Sequence, residues 1–269
     1  MTLEQQKKQF EEEGYLIVED VLSDVALKTC ENEIRRLHEV TAEFEATQDP
    51  ALKHFQREPY AKDEEQDGLP VLRKIEQTRD FSDVFKDLAA HPNLISVIQN
   101  LIGDDLLLFR STLMLKPAFH GSAHAFHQDS AYWPMDPPSL VTVSIALTES
   151  TSENGCIQVI PGSHKWGMQE WGLIAQDTEK AEANRDDIDT SGAIEAPLKA
   201  GSVVMFHSLT VHGSGPNKSP DPRHTALYAY FPPTVKLVAR GNASTSRSFP
   251  VVSGLSGTES LTMESVVLA

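Results

Sequence analysis

The feature that most constrains this chain is a change of hydrophobic period at Gly103. Before it, apolar residues recur every three to four positions; after it they alternate, and the two patterns call for different backbones. Leu3 to Glu13 is rich in Glu, Gln and Lys and stops at Gly14, which predicts a helix. Tyr15-Leu16-Ile17-Val18 reads as a short strand. Ser23 or Asp24 then caps a helix carried by Leu27, Cys30, Ile34 and Leu37. From His38 to Gly68 the chain is polar and poorly periodic. A second helical pattern runs from Phe81 to Ile102, divided at Pro92. Beyond Gly103, Val141, Val143, Ile145 and Leu147 alternate with Thr142, Ser144, Ala146 and Thr148, the mark of a half-buried strand. Ile157 to Ile160, Ser202 to His207 and Thr225 to Phe231 add strands separated by Gly, Pro and Asn turns. Strands without intervening helices imply an antiparallel sandwich or barrel. At 269 residues, one domain spanning 1–269 suffices, with a helical flank over 1–103 and a barrel core over 104–235.

Charge narrows the partners. With 23 basic and 39 acidic side chains the formal charge is −16, which argues against nucleic acid, whose proteins carry a basic stripe. The apolar runs, such as Leu106-Leu107-Leu108-Phe109, are too short to cross a bilayer, and the start has no signal-peptide core. Cys30 and Cys156 sit in apolar patterns and read as buried thiols, so a cytoplasmic, reducing compartment is expected. The acidic stretch from Trp166 to Pro197 is long for a loop inside a compact domain. It reads either as a lid over the site or as a solvated excursion.

Seven of the ten histidines lie between positions 120 and 224. The informative group is His127-Gln128-Asp129. On an extended chain residues i and i+2 share a face, so an imidazole and a carboxylate converge. A second imidazole from a distant strand would complete a two-His, one-carboxylate triad with open coordination positions, as a non-haem iron oxygenase requires. His207 and His212 follow an apolar strand, the latter in a His-Gly-Ser-Gly turn. Arg223, just ahead of the strand Thr225 to Phe231, is either a bidentate partner for a dicarboxylic oxo acid or a surface arginine.

These motifs resemble the phytanoyl-CoA dioxygenase family of Fe(II)/2-oxoglutarate oxygenases. The resemblance rests on Phe126-His127-Gln128-Asp129-Ser130 with Tyr132-Trp133-Pro134, Asn154-Gly155-Cys156, Pro161-Gly162-Ser163-His164-Lys165, and His212-Gly213-Ser214-Gly215-Pro216-Asn217 with Arg223. It implies a mainly β fold, a double-stranded β-helix (a cupin-like jelly roll) with flanking N-terminal α-helices. It further implies that His127, Asp129 and His212 ligate iron, and that Arg223, with Ser214 nearby, holds the far carboxylate of 2-oxoglutarate. Lys74 corresponds to a lysine that approaches the cosubstrate in some members, or is simply a solvated lysine. Ile145 stands where the family has a tryptophan at the cosubstrate wall. The implied activity is hydroxylation of an aliphatic C–H of a small organic molecule, using Fe(II), 2-oxoglutarate and O2 and releasing succinate and CO2. Iron halogenases of related fold carry a small residue in place of the carboxylate, so Asp129 favours hydroxylation.

His164 reads as scaffold, Gln128 as structural or supporting, and His120 and His124 as solvated or touching substrate. Two other classes use similar motifs: a cupin-type metal-dependent isomerase or lyase without 2-oxoglutarate, and a non-catalytic metal-binding module.

Overall fold

The helices form where capping and spacing agree. In the computed structural model, which describes residues 1–133, 135–170, 188–239 and 241–267, helix α1 spans Leu3–Glu13. Thr2 and Gln5 cap it reciprocally, and Gly14 ends it at φ +75°, a conformation glycine adopts without strain. Ser23 caps α2, Asp24–Thr47, which buries Cys30, Ile34, Leu37 and Thr41 on one face. It continues through the stretch after His38 that looks aperiodic, because Thr41 and Phe44 prolong the buried stripe. The pattern from Phe81 to Ile102 becomes α3, Asp83–Leu88, and α4, Pro92–Ile102, with Pro92 in the first turn of α4, where its missing N–H costs nothing. No helix among the described residues is long and apolar enough to cross a membrane.

The larger sheet takes strands from both halves of the chain. Its strands are β1 (Tyr15–Val18), β2 (Phe55–Arg57), β3 (Leu72–Glu76), β4 (Leu106–Lys116), β6 (Val141–Ala146), β9 (Val203–His207), β11 (Arg223–Phe231), β12 (Ser246–Ser253) and β13 (Ser260–Glu264). They run in the order β1-β9-β6-β11-β4-β12-β13, with β3 also on β4 and β2 outside it. A smaller sheet has the order β8-β7-β10-β5, formed by Ile194–Ala196, Ile157–Val159, His212–Ser214 and His124–His127. Among the described residues every strand pairing in the two sheets is antiparallel, giving the mainly β jelly roll with helices on its outer face.

The central strands of the large sheet are buried on both faces, and the faces differ. Ile75, Leu113, Val143, Ile145, Val203, Ala226 and Tyr228 face the helices. Each such aliphatic side chain contributes roughly 1.5–3 kcal/mol on burial. Tyr228 and Tyr230 also donate their hydroxyls to the carbonyls of Phe85 and Ala89, at 2.8 and 2.9 Å, tying the sheet to α3. The opposite face carries Thr142, Ser144, Ala146, Thr225 and Leu227, by strand alternation. Thr142 and Ser144 are therefore buried, not solvated as simple alternation suggests: their face looks onto the smaller sheet.

Candidate active site

The smaller sheet places two histidines opposite one another. His127 ends β5 and pairs across the strands with His212, which opens β10; their rings lie 4.2 Å apart. Each imidazole donates Nδ1–H to a main-chain carbonyl two residues earlier, His127 to Ala125 at 2.8 Å and His212 to Thr210 at 2.9 Å. That fixes the tautomer and leaves both Nε2 lone pairs free for a metal. Asp129 lies in the turn after β5, its Oδ1 3.5 Å from His127 Nε2 and 3.9 Å from His212 Nε2. Its Oδ2 accepts a 2.6 Å hydrogen bond from Thr142 on the large sheet. One ligand atom from each residue falls within 4.8 Å of the others, and all three residues are buried.

The electrostatics suit a cation. Burial pushes the Asp129 carboxyl up, but His212, His127 and the Thr142 hydroxyl outweigh it and hold the pKa down at about 2. Burial beside His127 lowers His212 to about 4, so its imidazole is neutral and basic at Nε2. Two neutral imidazoles and one carboxylate are the donor set that Fe(II) takes in facial-triad sites.

A second cluster lies at the far end of β11. Arg223 is 2% exposed, and its side chain donates to Gly155 O and, at 3.4 Å, to Thr225 Oγ1. Its Nε is buried without a partner, and it has no carboxylate partner among the described residues. Burial drags the pKa of this guanidinium down to about 10. Gly155 must be glycine: its φ is +79° and a Cβ would strike Gly215 O. Lys116 pairs in register with Arg223 across β4 and β11. It is 4% exposed, donates to Gly215 O, and burial together with Arg223 pushes its pKa well down. Two buried basic groups side by side, with no ion pair to either among the described residues and the buried Glu58 acting on Lys116 only from a distance, are well matched to an anion.

Ser214 is buried at the end of β10, next to the Gly215 carbonyl that Lys116 grips. Lys74 pairs in register with Met114, and Met114 with Thr225, so Lys74 shares the sheet face of Thr225 and Arg223. Its ammonium is bound to Glu76, not solvated. Ile145 packs in the helix-side core, and Ser144 and Ala146 hold the site face there. His207 lies outside the triad, accepting Leu209 N–H at 3.1 Å and stacking near Phe10 and His164. His164 contacts Glu11 O, a scaffold role. His120 is partly buried beside Glu64, and His124, read as solvated or touching substrate, is partly buried 5.2 Å from the His127 ring. Gln128 donates to Gly167 O and Leu209 O and accepts from Gln169 N–H, anchoring the start of the 166–197 stretch. Residues 171–187, the bulk of the expected lid, lie outside the described residues.

Sequence reasoning missed Lys116, Thr142 and Ser144. Lys116 stood in view in Leu115-Lys116-Pro117, with nothing local to show its burial. The two hydroxyls looked like the solvent side of a strand.

The phytanoyl-CoA dioxygenase family model matches residues 10–225. A probable phytanoyl-CoA dioxygenase of Caenorhabditis elegans is 29% identical over 227 residues, 80% of this chain and 70% of that protein. An ectoine dioxygenase of Bordetella bronchiseptica is 26% identical over 241 residues, 84% of this chain and 74% of that protein. Among solved structures, the epimerase SnoN in complex with Fe3+, alpha ketoglutarate and nogalamycin RO is similar in fold. Its TM-score is 0.67 at 24% identity, covering 89% of this chain and 87% of that one.

Proposed function

The chain belongs to the phytanoyl-CoA dioxygenase family, and on that premise we propose that it hydroxylates an aliphatic C–H of a small organic molecule. It is an Fe(II)- and 2-oxoglutarate-dependent dioxygenase. The cupin-type isomerase or lyase and the silent binding module are not favoured beside that membership.

His127 and His212, through Nε2, and Asp129, through Oδ1, hold the iron in this reading. The single observation that carries it is the convergence of these three atoms in a buried site with both Nδ1 atoms already committed. Iron and 2-oxoglutarate supply the oxidising power from O2, with succinate and CO2 as coproducts. The chain's own work is orientation. Thr142 holds Asp129 by its outer oxygen, so that the inner one faces the imidazoles. Arg223 would take the distal carboxylate of 2-oxoglutarate, with Lys116 beside it on the neighbouring strand. Ser144, whose buried hydroxyl has no partner among the described residues, can bond the cosubstrate between the two ends. Ser214 and Lys74 line this face as minor contributors.

We also read the enzyme as cytoplasmic, with its two buried thiols kept free, and as having no nucleic-acid partner at a charge of −16. The test is succinate release from 2-oxoglutarate by the Fe(II)-loaded protein. Wild type releases succinate and Asp129→Ala does not; release by both refutes the assignment.

A further inference from the structure

A cavity of about 930 Å³ is lined in part by Tyr132, which packs against His127 of the triad. Tyr132, whose ring meets that of His127 edge-on at 5.8 Å, and Thr112 on β4 form the wall nearest the metal ligands. Further lining comes from the C-terminal part of the chain, including Leu237, Asn242, and Arg247 and Phe249 of β12. That stretch lies beyond residues 10–225, which match the family model.

The cavity's charges are unbalanced for so acidic a protein. Glu76 and Asp80 line it against Arg79, Arg110 and Arg247, in a chain of net charge −16. Glu76 is already bound by Lys74, with Arg110 at 3.7 Å, and Arg110 also donates to Thr112 Oγ1 at 2.9 Å. Arg247 is different. Its guanidinium lies 4.7 Å from the ring centre of Phe109 and 4.8 Å from that of Phe249. It donates to Phe109 O at 3.4 Å and has no carboxylate partner among the described residues. The two ring centres are 6.0 Å apart, so both rings flank one side of this exposed guanidinium and leave its other N–H groups for an acceptor. Phe109 continues into Trp133, ring centres 4.9 Å apart, which gives an apolar shelf between Arg247 and Tyr132.

We propose that the cavity binds the primary substrate as a small organic carboxylate. Its carboxylate takes the edge of Arg247, and its apolar body lies along Phe109 and Trp133 toward the triad. Arg79 also lines the cavity with no carboxylate partner among the described residues, while Arg110 is engaged elsewhere; a planar carboxylate matches the planar edge of a guanidinium. This assignment rests on the dioxygenase reading above and deepens it by naming the substrate class.

The test follows succinate formation by the Fe(II)- and 2-oxoglutarate-loaded full chain. The probes are a panel of aliphatic and aromatic carboxylic acids, their primary amides, and phosphate monoesters of matching alcohols. Substrate-free succinate release by wild type checks the dioxygenase reading separately, so the two ideas fail independently. Acids in the panel should stimulate wild type, with their amides at least roughly tenfold weaker in half-saturation, as for loss of a charge-assisted pair. Arg247→Met should lose that preference for acids and Arg247→Lys should regain part of it, with circular dichroism confirming that both fold. Stimulation by amides equal to that by acids, by phosphate esters alone, or by no acid overturns the proposal. So does an Arg247→Met variant that keeps wild-type half-saturation for the acids.

Discussion

The two ends of the site are built on opposite principles. At the triad, His127 and His212 have their Nδ1 atoms bonded to carbonyls and Asp129 has its outer oxygen bonded to Thr142. Those hydrogen bonds hold the three side chains in place without a guest. At the Arg223 end two basic groups are buried side by side, with an unpartnered Nε and main-chain carbonyls as their chief relief. One end is organised before binding. In the proposed function the other end gathers basic groups for the distal carboxylate of 2-oxoglutarate, and so acts as the selective end.

That contrast predicts effects of different size and sign. Replacing His127, Asp129 or His212 with alanine removes a metal donor, and turnover should fall to background even with added Fe(II), measured as succinate release. A fully active His212→Ala would point instead to His207. Arg223→Ala should leave iron binding nearly intact and raise the 2-oxoglutarate requirement. Breaking such a buried pair costs roughly 2–5 kcal/mol, on the order of thirtyfold or more. Arg223→Met sharpens the comparison because its two effects oppose each other. Exchanging an uncompensated buried charge for an apolar chain should stabilise the ligand-free protein by about 1–4 kcal/mol, seen as a raised melting temperature, while 2-oxoglutarate binding is lost. Equal or lower stability would show that Arg223 is already compensated.

Thr142→Val tests the organised end more gently. Removing the hydroxyl that orients Asp129 should weaken Fe(II) binding by roughly 10–100-fold, measured by metal titration, with little change in fold. An unchanged affinity would mean that the imidazoles alone set the carboxylate's position.

Much of this was legible in the sequence, and the reasons divide along the same line. His127 and Asp129 are neighbours in the chain, so period-two geometry alone brings them together. The helices were legible through their caps and spacing, as at Ser23 and Pro92. What stayed hidden depends on strands distant in sequence. Leu106–Lys116 shows no alternation because both its faces are buried, and Leu72–Glu76 joins the sheet from within a mostly helical half. Lys116 reaches Arg223 only through cross-strand register. Thr142 and Ser144 looked solvated because alternation tells two faces apart but not what lies beyond each. The wall made by 246–264 was missed for the same reason: nothing local shows that Val251 pairs with Leu107.

The central claim is that a preformed triad and a basic arginine end bind one iron and one 2-oxoglutarate together. The direct test is an anaerobic titration of 2-oxoglutarate into Fe(II)-loaded protein, followed by the visible charge-transfer absorption of the chelate. The account predicts saturation at one equivalent per chain in wild type, a curve displaced by about thirtyfold or more in Arg223→Ala, and no absorption in Asp129→Ala. Superimposable curves for wild type and Arg223→Ala, or full absorption in Asp129→Ala, would contradict it.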